Sequence, residues 1–218
     1  MKYFKIDETI DLDIVGAYPQ VFPTENCELG SPFSNVRLIF GEIPEEIPYL
    51  ELEFENRTKK TDFLSSYNTH WGIIVNYKLR KIIQKFNVPN YKFYPFILLK
   101  NKTYVKDYYL FRFYDNLFNY VDYERTKIEV FHKFNFNVLD EFTLKSEEHL
   151  KEIKSSLKFE QEARLKELYF NDNFPKYDIM INNILGFHTL ISERLLSALQ
   201  ENNITGYEVS EYDILKME

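Results

Sequence analysis

Three features of the sequence predict an α+β fold: a repeated strand-helix-strand pattern, a centre crowded with aromatic residues, and an acidic segment that alternates apolar and charged positions. Residues 62–94 and 178–210 align without a gap at a constant offset of 116. Five of the 33 pairs are identical (Asp62/Asp178, Leu79/Leu195, Gln84/Gln200, Asn87/Asn203, Tyr91/Tyr207). Eleven are apolar in both copies, among them Trp71/Phe187, Ile74/Leu190, Val75/Ile191, Ile83/Leu199 and Val88/Ile204. A shared apolar pattern with a shared capping position marks a duplicated structural unit, which is more often scaffold than active site. The predicted architecture is therefore two related strand-helix-strand units around an aromatic-rich mixed sheet.

The first 60 residues are predicted to be acidic and β-rich. In GEIPEEIPYLELEFEN, Glu51, Glu53 and Glu55 alternate with Leu50, Leu52 and Phe54, a period of two that gives a strand one apolar and one carboxylate face. Such a face either guards a sheet edge against unwanted pairing or, joined by Glu45 and Glu46, forms an acidic docking surface. In the second case Glu51→Lys with Glu53→Lys slows association and leaves folding nearly unchanged. A metal site is disfavoured, because carboxylates at this spacing lie about 7 Å apart and do not converge on one ion.

In the first unit, His70 to Val75 has strand character and Asn76 caps a helix with Leu79, Ile82, Ile83 and Phe86 as its buried stripe. Tyr91 to Leu99 then returns as a strand. Pro95 has no ladder donor, which places that strand at a sheet edge or breaks it there. The aromatic centre from Tyr91 to Phe136 reads as sheet-forming, with a turn at Asp115-Asn116. Its tyrosines are too many for one core, so Tyr108, Tyr109, Tyr114 and Tyr120 are candidate interface anchors. Stacking on single-stranded nucleic acid is the competing use. It needs interleaved basic residues, and Lys106, Arg112 and Arg125 are few against Asp107, Asp115, Asp122 and Glu124.

The connector SEEHLKEIKSSLKFEQEARLKEL reads as a helix with Ser146 as N-cap, Glu147 and Glu148 in its first turn, and Leu150, Ile153 and Leu157 as its stripe. Leu165 and Leu168 leave that stripe, so a break near Lys158 is expected. In the second unit Phe187 to Ile191 is a strand, Ser192 caps a helix with Leu195, Leu196 and Leu199 on one face, Asn202-Asn203 stops it, and Tyr207 to Val209 returns after Gly206.

A chain of 218 residues, 44% apolar and 28% charged, fits a single globular domain assembled from stretches 1–60, 61–135 and 136–218. No apolar run is long enough to span a bilayer, and MKYFKIDETID turns acidic too early for a secretory signal, so a cytoplasmic protein with no membrane partner is expected. The lone Cys27 excludes an internal disulfide and a multi-cysteine zinc site, and reads as a buried thiol. A net charge of −7 argues against nucleic acid and suits a basic protein partner.

Chemistry is sparse. There is no phosphate-cradling glycine loop, HExxH, nucleophile elbow or GxGxxG, so neither an enzyme nor a cofactor is predicted. His70, His132, His149 and His188 are scattered; His70 and His188 are close to aligned between the repeats and flank equivalent strands, which is conceivable as a metal or catalytic pair but more ordinary as structure. The patterns Asp122-Tyr-Glu124 with Lys127, and Glu152-Ile-Lys154, are too short to carry an activity. A hydrolase assembled from distant positions makes Asp62 and Asp178 the first residues to test, although turn or cap roles suit them better.

The tail LGFHTLISERLLSALQENNITGYEV resembles the C-terminal signature of a bacterial polymorphic-toxin immunity family, the one usually numbered eleven. Its elements here are Ser192, Arg194, Leu195, Leu199, Ile204, Gly206, Tyr207 and Glu208. IIVNYKLRKIIQKFNVPNYKFYP is similar to the family's earlier, more variable version of that unit, and YYLFRFYDNLFNYVDYERT to its central segment; Asn76 departs from the family's serine. The resemblance runs from about Thr61 and leaves the first 60 residues unmatched. It implies a non-enzymatic cytoplasmic protein that binds and occludes a cognate toxin encoded beside it, with the signature residues serving structure. The alternative is an interaction scaffold without a toxin partner, expected to be a stable homo-oligomer.

Overall fold

Four sheets of four strands each organise the described residues, 1–27, 39–66 and 72–217 of the computed structural model. The chain is α+β and dominated by sheet, and its aromatic-rich strands divide among these sheets. From the N-terminus run β1 (Tyr3–Glu8), the single turn α1 (Leu12–Val15), β2 (Val21–Pro23) and β3 (Glu51–Phe54). The first unit follows as β4 (Phe63–Leu64), β5 (Ile73–Asn76), α2 (Tyr77–Ile83) and β6 (Asn90–Pro95). β7 (Ile97–Lys100) and β8 (Thr103–Tyr104) join β2 and β3 in an N-terminal sheet ordered β2-β3-β7-β8, and β9 (Tyr108–Tyr114) returns to the first unit. Pro95 acts as its missing donor requires: β6 is an edge strand that ends there, and the chain changes sheets at Phe96.

A 3-10 turn (Leu117–Tyr120) leads to β10 (Lys127–His132), β11 (Val138–Thr143), α3 (Glu147–Ser156) and β12 (Gln161–Tyr169). The second unit is β13 (Ile179–Asn182), β14 (His188–Ser192), α4 (Glu193–Glu201) and β15 (Tyr207–Glu211), with β16 (Leu215–Lys216) closing a third sheet ordered β11-β10-β12-β16. The connector helix begins at its expected Ser146 cap, whose hydroxyl accepts from the His149 N–H at 3.1 Å. It ends at Ser156 with Leu157 as C-cap, at the break expected near Lys158, and 161–169 pairs with β10 as a strand. Helix-forming Glu, Ala, Arg, Leu and Lys are overruled there by a ladder that also buries Leu165 and Leu168.

The duplication is exact in register. The first unit's sheet has the order β4-β5-β9-β6 and the second's β13-β14-β1-β15, so an antiparallel strand is inserted between the strand before each helix and the strand after it. In the first unit that strand follows in sequence. In the second it is β1, from the other end of the chain. Asn76 faces Tyr108 as Ser192 faces Tyr3, and Tyr91 faces Phe113 as Tyr207 faces Glu8. Phe63 faces Val75 as Ile179 faces Ile191, which keeps the offset of 116 through all three ladders.

Alternation along these strands explains their continuous apolar runs. Val75 and Ile191 enter one core with Leu79, Ile83, Leu195 and Leu199 of the two helices, whereas Ile74 faces the N-terminal sheet and Leu190 the third sheet. The strand before each helix thus buries residues on both of its faces, while β6 and β15 are more exposed. Neither unit closes its helix-bearing core alone, since residues of both complete it.

Glu8 occupies the place that the buried Phe113 holds in the first unit. Burial pushes its carboxyl up to about 7, against the Ser66 N–H and the Tyr18 hydroxyl, which favour ionisation. The native state therefore holds a proton that the unfolded chain has released. The stability this contributes is complete below about pH 4.5 and is lost as pH rises through about 7. Glu8→Gln is expected to flatten this dependence and raise stability by about 2 kcal/mol at pH 8 and little at pH 4. Urea midpoints measured at both values check it.

Candidate interaction surface

The acidic segment does not present one carboxylate face. β3 lies inside its sheet, antiparallel to β2 and parallel to β7, so Glu51, Glu53 and Glu55 do not guard an edge. Glu51 is buried. Its carboxylate accepts from Thr24 Oγ1 at 2.7 Å, Asn26 Nδ2 at 2.9 Å and the Tyr49 hydroxyl, which hold its pKa below the usual carboxylate range. Glu51→Lys is consequently a folding variant, contrary to the expectation from the alternating pattern, because it strands three donors and buries an unmatched cation. Glu53 accepts from the Lys102 N–H at 3.2 Å and Glu55 from the Arg57 N–H at 2.7 Å. Glu45 is exposed and paired with Lys92 at 2.7 Å, and Glu46 is exposed.

The four candidate tyrosines are half-buried and engaged within the fold. The Tyr108 hydroxyl donates to the Thr61 carbonyl at 2.8 Å, and Tyr3, its equivalent in the second unit, donates to the Tyr177 carbonyl at 2.7 Å. Thr61 and Tyr177 are themselves 116 apart, so this bond belongs to the repeat. Tyr109 lies under the Arg80 guanidinium at 4.3 Å, Tyr114 accepts from Asn183 Nδ2 at 3.3 Å, and Tyr120 donates to Asp115 Oδ2 at 2.7 Å. These rings are structural anchors rather than exposed ones.

Asp62 and Asp178 are likewise structural. Each binds its own helix cap: Asn76 Nδ2 donates to Asp62 at 2.7 Å and the Ser192 hydroxyl to Asp178 at 2.6 Å. Each cap then accepts from the helix, Asn76 from the Leu79 N–H and Ser192 from the Leu195 N–H. Each aspartate also holds the turn that follows the other unit's helix, Asp62 through the Thr205 N–H at 2.9 Å and Asp178 through the Asn87 N–H at 2.8 Å. Reciprocal contacts of this kind are those of a twofold interface. Equivalent cations complete the pattern, Lys78 at 3.9 Å from Asp62 and Arg194 in a two-pronged pair with Asp178.

The tail signature is absorbed by this same arrangement. Ser192 is the cap, Arg194 pairs with Asp178, Leu195 and Leu199 lie in the shared core, Gly206 abuts Phe63 of the first unit, and Tyr207 packs beside it. Glu208, opposite Asp7 in the ladder, is exposed.

The histidines do not converge. His70 and Trp71 lie outside the described residues. His132 and His149 accept from nearby backbone N–H groups within their own turns, at 3.3 Å in both cases. Asp122 serves a turn too, accepting from the N–H groups of Glu124 and Arg125. Among the described residues no group of three or more His, Cys, Asp or Glu is placed to hold a metal ion, and no helix is long and apolar enough to cross a membrane. Cys27 is buried, as expected.

A cleft of about 740 Å³ gathers a different set. β10 ends in the turn Lys133-Phe134-Asn135-Phe136, and the chain leaving α3 runs through Lys158 and Phe159 into β12. The Lys133 N–H donates to the Glu160 carbonyl at 2.8 Å and ties these two reversals together. Opposite them lies the β13–β14 turn with Gly186 and Phe187, and Phe131, Leu165, Tyr212 and Ile214 supply apolar lining. His188 also lines it, its pKa lowered by burial and by Lys5. Beside the cleft, Phe134 is 73% exposed, Phe136 66% and Phe159 85%. Phe136 and Phe187 have φ values of 59° and 47°, left-handed backbone that bulky side chains rarely adopt and that recurs at binding sites.

Sequence reasoning missed this surface because it chose the tyrosines of the central stretch as interface anchors, left Phe134 and Phe136 to the sheet and read Phe159 as part of the connector helix. The available signal was local: two phenylalanines set around an asparagine in a polar turn, where burial is not offered.

No family model matches the chain, and a comparison with curated proteins likewise finds no match.

Proposed function

We propose that the chain is a non-catalytic cytoplasmic binding protein that neutralises a toxin encoded beside it by covering the toxin's working surface. The observation that carries this reading is the exposed aromatic surface at the cleft, where Phe134, Phe136 and Phe159 spend apolar area on solvent. Exposed phenylalanines grouped around a cleft are what protein interfaces use as anchors. The resemblance of the tail to an immunity family supports the choice of partner. The internal engagement of Asp62 and Asp178 favours binding over hydrolysis, since their carboxylates are committed to caps and to the unit junction. An overall charge of −7 suits fast capture of a basic toxin.

Co-expression with the neighbouring toxin is the test. Cells carrying both are expected to survive and to yield a stable complex on purification. Cell death without a complex overturns the reading.

A further inference from the structure

We propose that the cleft between the β10–β12 end of the third sheet and the β13–β14 turn receives an acidic segment of a protein partner, a segment that also carries an apolar side chain. Identifying that partner with the toxin rests on the function proposed above; the chemistry of the surface does not.

Charge complementarity selects the occupant. The chain is acidic overall, yet Lys133, Lys154, Lys158 and Arg164 line this one cleft, against Glu162 as its single acidic lining residue among those described. The three lysines are exposed and form no ion pair among the described residues, whereas Lys92, Lys166 and Lys127 elsewhere are paired with Glu45, Glu141 and Glu167. Arg164 is fixed by Glu129 at 2.5 Å and lies over the Phe131 ring at 4.6 Å, and the Lys133 ammonium lies over the Phe159 ring at 5.7 Å, so the cleft combines one ion-paired cation with three exposed ones. Between them stands an apolar wall that ends in exposed phenylalanines. A carboxylate-bearing segment with an apolar anchor satisfies both components.

The protruding rings decide against a small anion. A phosphate-sized ligand has no use for Phe134, Phe136 or Phe159, which project into solvent at the rim, whereas a protein segment crossing the rim buries them. Left-handed backbone is shared by Phe187, which lines the cleft, and by Phe136, whose ring stacks on the lining Phe131 at 6.2 Å. The acidic contact is local and is compatible with a partner that is basic overall.

The test uses the full chain and two fluorescein-labelled twelve-residue peptides, one glutamate-rich with two phenylalanines, the other with lysine in place of each glutamate. The wild type is expected to bind the acidic peptide, more weakly as salt increases, and to leave the basic one free. Lys133→Glu, Lys154→Glu and Lys158→Glu together are expected to weaken binding at least tenfold. The control Lys60→Glu, Lys85→Glu and Lys106→Glu has the same change in net charge and is expected to bind within twofold of wild type. Failure to discriminate between the peptides, or equal loss in both triple variants, overturns the proposal. The toxin reports separately. A chain that takes the acidic peptide through these lysines but ignores the neighbouring toxin upholds this inference and removes the immunity reading. A toxin complex equally stable with the cleft variant upholds immunity and overturns the cleft as its docking site.

Discussion

Gly206→Ala is expected to destabilise the protein by about 4 kcal/mol, the sum of backbone strain and overpacking. Gly206 has a φ of 95°, and a Cβ there would lie 2.0 Å from the Phe63 carbonyl oxygen and 2.6 Å from Thr61 Oγ1. Neither neighbour yields easily. Phe63 opens β4, and its N–H donates to the Thr205 carbonyl at 3.0 Å, while the Gly206 carbonyl accepts from the Thr9 N–H at 3.2 Å. A methyl at this point separates the first unit from the turn that precedes β15. Gly41→Ala is the control, with a φ of 90° but a nearest approach of 3.2 Å to the Tyr114 ring. It is expected to cost about 1 kcal/mol, backbone strain alone. Urea unfolding of both variants measures the difference, and equal losses would assign the whole effect to φ and none to the close approach.

Asp178→Ala is expected to cost about 4 kcal/mol, the range for removing one partner of a buried charged network. Asp178 is fully buried and its carboxylate serves the Ser192 hydroxyl, the Asn87 N–H and Arg194 at once. Its loss strips the support from one helix cap, leaves a backbone donor unpaired in the junction and frees a cation. Burial alone would raise its pKa; the Arg194, Ser192 and Asn87 donors outweigh it and hold the group below the ordinary carboxylate range. A depressed native pKa means that this contribution is present above about pH 4 and is lost as pH falls through the native value, the reverse of Glu8. The stability gap between wild type and Asp178→Ala should therefore narrow in acid. Asp62→Ala is expected to cost about 2 kcal/mol, because its cation stands farther away and its cap is an amide rather than a buried hydroxyl. A gap that stays constant down to pH 2 would show that Asp178 acts through packing and not through its charge.

The repeat was legible because every signal that defines it is local. An apolar period, a polar cap three residues before a leucine, and a proline that cannot donate are each contained within a few residues, and each appears in the structure where the pattern places it. Segment 161–169 was not legible as a strand. Its residues favour a helix in isolation, and the distant β10 and β16 supply the ladders that overrule them. Glu51 misled for the same reason: alternation gave it a face, but its three donors come from the chain before and beside it.

The tyrosines show how a surplus is resolved. Tyr108 looked like an interface residue because aromatics outnumbered a single core, and the described residues form three cores that share the load. Its equivalence with Tyr3 appears only after β1 is placed in the second unit's sheet. No alignment of the two repeat segments reaches so far, since the inserted strand lies outside both.

Sequence alone determined the duplicated unit, its offset, its caps, its apolar faces and the acidic balance of the chain. Tertiary structure decided that the N-terminal strand completes the second unit, that Asp62 and Asp178 bind the two units reciprocally, and that lysines from a turn, a helix end and the connector after it meet beside exposed phenylalanines. The division follows from the range of the interactions. Periodicity and capping depend on neighbours within a helical turn or a strand, whereas ladder partners, buried charges and clefts depend on residues up to more than two hundred positions apart.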